Sequence, residues 1–218
     1  QIIPEILASR GHQVYVIDYP THWQKTGLFD LYHSRQVIHQ VSKAGKKRGV
    51  TLIRPAFIKI PLLSRVSAWV AYWWLIPQVM DQYRIEKVML YAAPTNGLQT
   101  VLAARKRRLP VLFRLLDILH ELVPNHWLKY PTYLLERMVY CRSNEILAIT
   151  PYLTKYAKKM AGKSQNISYV PSGSDADLFY PQPKNTRLLS QFHLSKQDLI
   201  LVFAGTLYNF SGLDQVID

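Results

Sequence analysis

Cysteine and acidic residues are what this sequence has least of. Among 218 residues there is one cysteine, Cys141, and 14 acidic side chains stand against 27 lysines and arginines. A single thiol excludes an intrachain disulfide framework, and with no cysteine or histidine beside it Cys141 does not begin a zinc site; no metal is expected. A reducing, cytosolic compartment is the simplest setting for such a chain. The shortage of acid leaves a formal charge of +13, a field that favours anionic partners such as nucleic acid, anionic lipid or phosphorylated substrates. Zinc-finger spacings, basic heptads and aromatic RNA-binding strand motifs are absent too, which sets nucleic acid aside. The uncharged run at 67–80 holds 14 residues, short of the roughly 20 that span a bilayer.

What is present is a globular composition. The hydrophobic fraction is 49%, the usual value for a folded domain, and a chain of this size buries roughly 70% of its extended surface. Disorder and collagen-like structure are excluded. Residues 31–80 contain no acid but carry Arg35, Lys43, Lys46, Lys47, Arg48, Arg54, Lys59 and Arg65, together with Trp69, Tyr72, Trp73 and Trp74. Positions 69, 72, 73 and 76 share one face of a helix. Such a face packs into a core or lies at a membrane interface, where Trp sits at the headgroup boundary and Lys or Arg meets anionic lipid. Lys46, Lys47, Arg48, Trp73 and Trp74 are the candidate contacts to an anionic membrane surface. A second basic run, Arg105-Lys106-Arg107-Arg108, falls at the end of an expected helix and complements its dipole.

Along the chain, short apolar strands alternate with longer helical patterns. A helix at 2–10 is stopped by Gly11, and a strand follows at 14–19. Helices are expected at 31–48, 62–83, 96–108 (capped by Thr95) and 131–142, and strands at 51–54, 87–92, 111–115, 145–149 and 167–170. Thr150-Pro151 reads as an N-cap with a first-turn proline. This alternation implies right-handed crossovers and an α/β domain with a doubly wound parallel sheet. Proline, glycine, serine and aspartate gather at 171–187, a linker. A strand at 199–204 and a capping box from Ser211 to Asp214 open a second α/β domain. The organisation expected is therefore an amino-terminal domain at 1–170, the linker at 171–187 and the beginning of another domain at 188–218. The chain reads as part of a longer protein.

In an open parallel sheet the ligand lies beyond the carboxyl ends of the strands, and the residues found there carry a resemblance. Pro171-Ser172-Gly173-Ser174-Asp175, continuing to Phe179-Tyr180-Pro181, resembles the segment joining the two domains of GT-B retaining glycosyltransferases, glycosyltransferase family 4 in particular. Arg10-Gly11-His12, Leu135-Glu136-Arg137 before Ile149-Thr150-Pro151-Tyr152-Leu153, and Phe203-Ala204-Gly205-Thr206-Leu207 before Gly212-Leu213-Asp214 are similar to further blocks of that family, in the same order.

The resemblance implies a Rossmann-like acceptor domain, the start of a nucleotide-sugar-binding domain, and sugar transfer from a nucleoside diphosphate to a lipid-linked or polysaccharide acceptor. It also implies no metal and no cofactor beyond the donor substrate, and a peripheral position at the cytoplasmic membrane face. Asp117 and His120 become the candidate catalytic residues. Asn96, Gly97, Glu121, Gly173, Asp175, Gly205, Thr206 and Ser211 become candidate substrate contacts. Thr206 and Ser211 stand where the family has the Arg and Lys that grip donor phosphates, a deficit of two charges at a diphosphate. Two other readings stay open: a non-catalytic sugar-nucleotide or lipid-binding subunit, and a nucleotide-sugar epimerase of the same fold. These 218 residues alone are expected to be inactive.

Overall fold

A computed structural model describes residues 2–20, 30–42, 49–61, 63–123, 125–162, 166–173, 179–205 and 212–217. By contacts the chain divides into two compact units, Gln1–Ser172 and Gly173–Asp218.

The first unit opens with helix α1, Ile2–Ser9. Gly11, with φ of 96°, supplies the left-handed residue that ends a helix without a Cβ clash. Strand β1, Tyr15–Ile17, follows, then β2, Tyr32–His33, β3, Gln36–Val41, β4, Val50–Arg54, and β5, Phe57–Ile58. β1 runs parallel to β4 and β3 antiparallel to it, while β2 pairs with β5. The helix expected at 31–48 is therefore replaced, over its described residues, by two strands. Val37, Ile38 and Val41 are β-branched and gain cross-strand partners on β4 (Val37 opposite Ile53, Ile38 opposite Leu52), and that pairing outweighs a helical spacing with weak end signals. Gly49 permits the approach: a Cβ there would lie 2.3 Å from the Gln40 carbonyl carbon.

Helix α2, Leu63–Gln82, leads to β6, Val88–Leu90. Then α3 (Gly97–Lys106), β7 (Val111–Leu115), α4 (His126–Arg142), β8 (Glu145–Ala148), α5 (Pro151–Ala161) and β9 (Asn166–Tyr169) alternate. β6-β7-β8-β9 form a parallel sheet in sequence order. Because each right-handed crossover steps the same way, α3, α4 and α5 cover one face. Phe113, Leu115, Ile146 and Ala148 point into that layer and meet Val101, Ala104, Val139, Tyr140, Leu153 and Ala157 in a continuous buried core. The fold is α/β with a parallel sheet in a Rossmann-like arrangement.

Local chemistry explains the boundaries. Thr150 Oγ1 accepts from the Leu153 amide at 3.1 Å, with Pro151 in the first turn. α3 starts one residue later than expected: Asn96, not Thr95, is its N-cap, and the Asn96 side chain makes no capping bond. α4 begins five residues earlier than its pattern implied. Asn125 Oδ1 caps the Trp127 amide at 3.1 Å, and the inward row Thr132, Glu136, Val139 and Tyr140 stabilises the helix enough to carry Pro131 in its second turn.

The aromatic face of α2 divides. Tyr72 and Ile76 are buried with Ala68, Leu75 and Val79, whereas Trp73 and Trp74 are exposed, Trp74 by 68%. Trp69 packs edge-on against Trp73. Lys46, Lys47 and Arg48 lie outside the described residues.

In the second unit α6, Thr186–Gln191, is capped by Asn185 Oδ1, and Asp198 ties down the Ser195 amide and hydroxyl. Helix α7 is Asp214–Ile217. The strand expected at 199–204 does not form. Leu199, Leu201 and Val202 are exposed, and no neighbouring strand among the described residues of this unit offers them hydrogen bonds, without which an apolar run cannot become sheet.

Candidate functional site

β6, β7, β8 and β9 are parallel, so their carboxyl ends share one edge, and the segments leaving that edge hold most of the candidates in the first unit. β6 leads to Asn96 and Gly97. Gly97 is a packing position: a Cβ would meet the Ala92 carbonyl oxygen at 2.8 Å and Val139 Cγ2 at 3.0 Å. Asn96 Oδ1 is buried and accepts no hydrogen bond.

β7 leads to Asp117, His120 and Glu121. Asp117 and Glu121 are exposed and His120 is half-buried. His120 is held by a residue that the sequence reading left out of the site, Glu136 of α4, whose side chain is fully buried. Glu136 Oε1 accepts from the Leu119 amide at 3.0 Å and the Tyr140 hydroxyl at 3.2 Å. Its Oε2 accepts from the His120 amide at 3.2 Å and lies 2.5 Å from His120 Nδ1. The carboxylate thus fastens the loop after β7 and orients the imidazole with one set of bonds, which satisfies the acceptor demand that a buried carboxylate carries.

With Nδ1 engaged by a carboxylate, the network assigns its proton there and leaves Nε2 to take or give a proton. Nε2 makes no hydrogen bond to the described residues, and the ring retains 18% exposure. Aromatic side chains frame it. Tyr133 packs edge-on at 5.3 Å between ring centroids, and Tyr156 stacks at 6.3 Å with its hydroxyl 3.4 Å from Nδ1. Burial, and then the Glu136 charge, push the Tyr140 hydroxyl well above its ordinary pKa. Tyr156 is raised by burial and then by Glu136 and Glu121. Both remain phenols at neutral pH and act as hydrogen-bonding groups.

A second buried charge, Arg114, stands on β7 itself. Arg114 donates from Nη1 to the Val170 carbonyl at 2.7 Å and from Nη2 to the Pro171 carbonyl at 3.3 Å, fixing the chain as it leaves β9. No ion pair with a carboxylate accompanies it among the described residues. The signal for Arg114 was there to read, a charged residue inside the apolar run of β7; Glu136 carried none, because its burial depends on the loop against which α4 is placed.

The remaining candidates belong to the second unit or fall outside the described residues. Gly173 and Gly205 are exposed in the second unit, and nothing within 4 Å would obstruct a Cβ at Gly173. Asp175, Thr206 and Ser211 lie outside the described residues. Among the described residues no group of three His, Cys, Asp or Glu side chains is placed to hold a metal ion, and no helix is long and apolar enough to cross a membrane.

No family model matches the chain, and no curated protein matches it. Solved structures to which it is similar include a UDP-N-acetylglucosamine 2-epimerase, at 14% identity and a TM-score of 0.39 over 50% of this chain and 30% of that one. Another is the S. aureus MnaA–UDP co-structure, at 12% identity and a TM-score of 0.44 over 62% of this chain and 37% of that one. The chain spans about a third of the length of these structures. At that level the likeness leaves the fold to be argued from its own strand order.

Proposed function

We propose that the chain is the acceptor-side domain and the start of the donor-binding domain of a nucleotide-sugar enzyme, a glycosyltransferase of GT-B type that moves a sugar onto a lipid-linked or polysaccharide acceptor. The observation that carries this reading is the His120–Glu136 pair at the carboxyl edge of a parallel sheet, where open α/β sheets bind ligands. Glu136 holds the Nδ1 proton and stabilises the imidazolium when it forms, so Nε2 serves as base toward an acceptor hydroxyl or as donor to a sugar oxygen. Asp117 and Glu121, exposed on the same loop, bind sugar hydroxyls. Asn96 is a further sugar contact from the neighbouring loop.

The donor diphosphate is assigned to the second unit, through backbone amides and hydroxyls around Gly205, Thr206 and Ser211, with Gly173 and Asp175 in the joining segment. A peripheral membrane position fits the outer row of α2, where Leu63, Val66, Val70, Trp73 and Trp74 are exposed and no acid occurs within residues 63–80. This is the composition of an interfacial helix face.

The test is nucleoside diphosphate release by the full-length protein from a panel of nucleotide sugars, with and without membrane extract. Acceptor-dependent release is expected, and His120→Ala should lower kcat by about 10²–10⁴-fold, the range for a lost acid–base group. Turnover without any acceptor would replace transfer by epimerisation. Diphosphate binding without turnover would leave a binding subunit.

A further inference from the structure

The basic run at 105–108 is only partly explained by the dipole of α3. Arg107 turns to Asp81, meeting both carboxylate oxygens at 2.6 Å, and donates from Nη1 to the Ala103 carbonyl. Arg105 and Arg108 do neither: their side chains make no hydrogen bond or ion pair among the described residues. Both line an open surface cleft of about 410 Å³ together with Arg142 and Asn144.

Every polar side chain of that cleft is a donor. Asn144 Oδ1 is consumed by the Val111 amide at 2.8 Å, so Asn144 offers its amide hydrogens, and three guanidinium groups supply the rest. Arg108 also occupies the residue that closes α3 with φ of 57°, while the Leu109 amide reaches back to the Ala104 carbonyl at 2.9 Å. Glycine or asparagine is the ordinary occupant of such a closing position. An arginine there places a cation over the cleft at the expense of backbone comfort.

A second cleft of about 320 Å³ adjoins the first and shares Cys141 and Arg142 with it. Its other walls are Leu134, Met138 and the Arg137 stem. Cationic donors on one side of a shared wall and an apolar slot on the other match a molecule with an anionic head and a hydrocarbon tail. The position is remote from the candidate site: the first cleft borders Val111 at the beginning of β7 and Asn144 before β8, the amino-terminal edge of the sheet.

We propose that these two adjoining surface clefts bind one amphiphile with a phosphate headgroup, the phosphate among Arg105, Arg108 and Arg142 and the chain passing over Cys141 along Leu134 and Met138. Guanidinium forks suit phosphate oxygens. The proposal is independent of the His120 chemistry, and its test uses no sugar donor.

Cys141 is the sole cysteine and lies in the shared wall, so its rate of modification by a thiol reagent reports occupancy. Decyl phosphate, kept below its micelle concentration and at about ten times its Kd, should slow that modification about tenfold, because protection of a covered thiol scales as 1 + [L]/Kd. Inorganic phosphate and decyl maltoside at equal concentration should each change it less than about twofold. In the double variant Arg105→Gln, Arg108→Gln, with an unaltered circular dichroism spectrum, protection should vanish. Unchanged Cys141 reactivity with decyl phosphate overturns the proposal, as does equal protection by inorganic phosphate or protection that survives in the double variant.

Discussion

β3 and β7 are both apolar-rich strands, QVIHQV and VLFRL, yet five of the six β3 residues are exposed and four of the five β7 residues are buried. Composition separates them only in part, three apolar residues of six against four of five; neighbours account for an exposed Ile38 and a buried Arg114. β7 has a strand on each side and a helical layer on its face, whereas β3 pairs on one side only among the described residues and carries a register shift between Ile38 and Val41. The candidate site belongs wholly to the β7 side, where an orienting carboxylate can be kept dry and fixed. The β1–β5 side has a buried acid of its own, Glu5 of α1, which accepts from the Ser42 hydroxyl at 2.8 Å, but it orients no candidate site residue, and the Lys59–Asp30 pair at 2.7 Å leaves both side chains partly exposed.

If this contrast is right, the heaviest loss comes from the enclosed charge. Glu136→Ala leaves two loop amides and the Tyr140 hydroxyl without their acceptor, and should cost about 3–5 kcal/mol of stability, read from the urea midpoint at constant m-value. Glu136→Gln should recover part of that loss without restoring His120 chemistry. A cost below about 1 kcal/mol for the alanine variant would mean that the loop is held by packing alone.

The two sides can next be compared by adding one methyl to each. Gly97→Ala drives a Cβ against the Ala92 carbonyl in the rigid half and should cost about 1–3 kcal/mol, overpacking outweighing the gain in helix propensity. Gly49→Ala meets the Gln40 backbone more severely. There the hairpin should open locally, removing hydrogen-exchange protection from residues 36–41 while global stability falls by less than about 1 kcal/mol. Equal global losses would make the two halves one cooperative unit and erase the distinction.

The smallest effect belongs to the exposed clasp between α2 and α3. The Arg107 hydrogen bond holds the Asp81 carboxyl below its ordinary pKa. Because the folded value is depressed, the contribution is present above the usual carboxylate range and is lost as pH falls through it. Asp81→Asn should therefore leave neutral-pH stability nearly unchanged and abolish only a slight, salt-sensitive part of the acid dependence. A marked neutral-pH loss would show that the clasp is shielded from solvent.

How far the sequence could be read follows the same division. β7 was legible to the residue, and so was the Thr150 cap, because a central strand and an N-cap are specified by their own side chains. The strand at 36–41 read as helix because its partner, β4, decides its conformation and lies outside any local window. The apolar run at 199–204 misled in the opposite sense: its composition is that of a buried strand, but composition supplies no partner for its amides. His120 was legible as a loop histidine after a strand. Glu136 was read only as part of a helix block, since a buried acid looks like any surface glutamate until its helix is placed against the loop it fastens.

The sequence by itself determined the α/β alternation, the order of the parallel strands' segments and the excess of basic charge, because these depend on short-range pattern and composition. Tertiary structure alone decided that Glu136 turns inward to His120, that Arg107 is neutralised while Arg105 and Arg108 are not, and that Trp74 faces out while Tyr72 faces in. Each of those outcomes is set by which surface lies within a few ångströms of a side chain, and for Glu136 and Arg107 residues 16 and 26 positions away in the chain supply it.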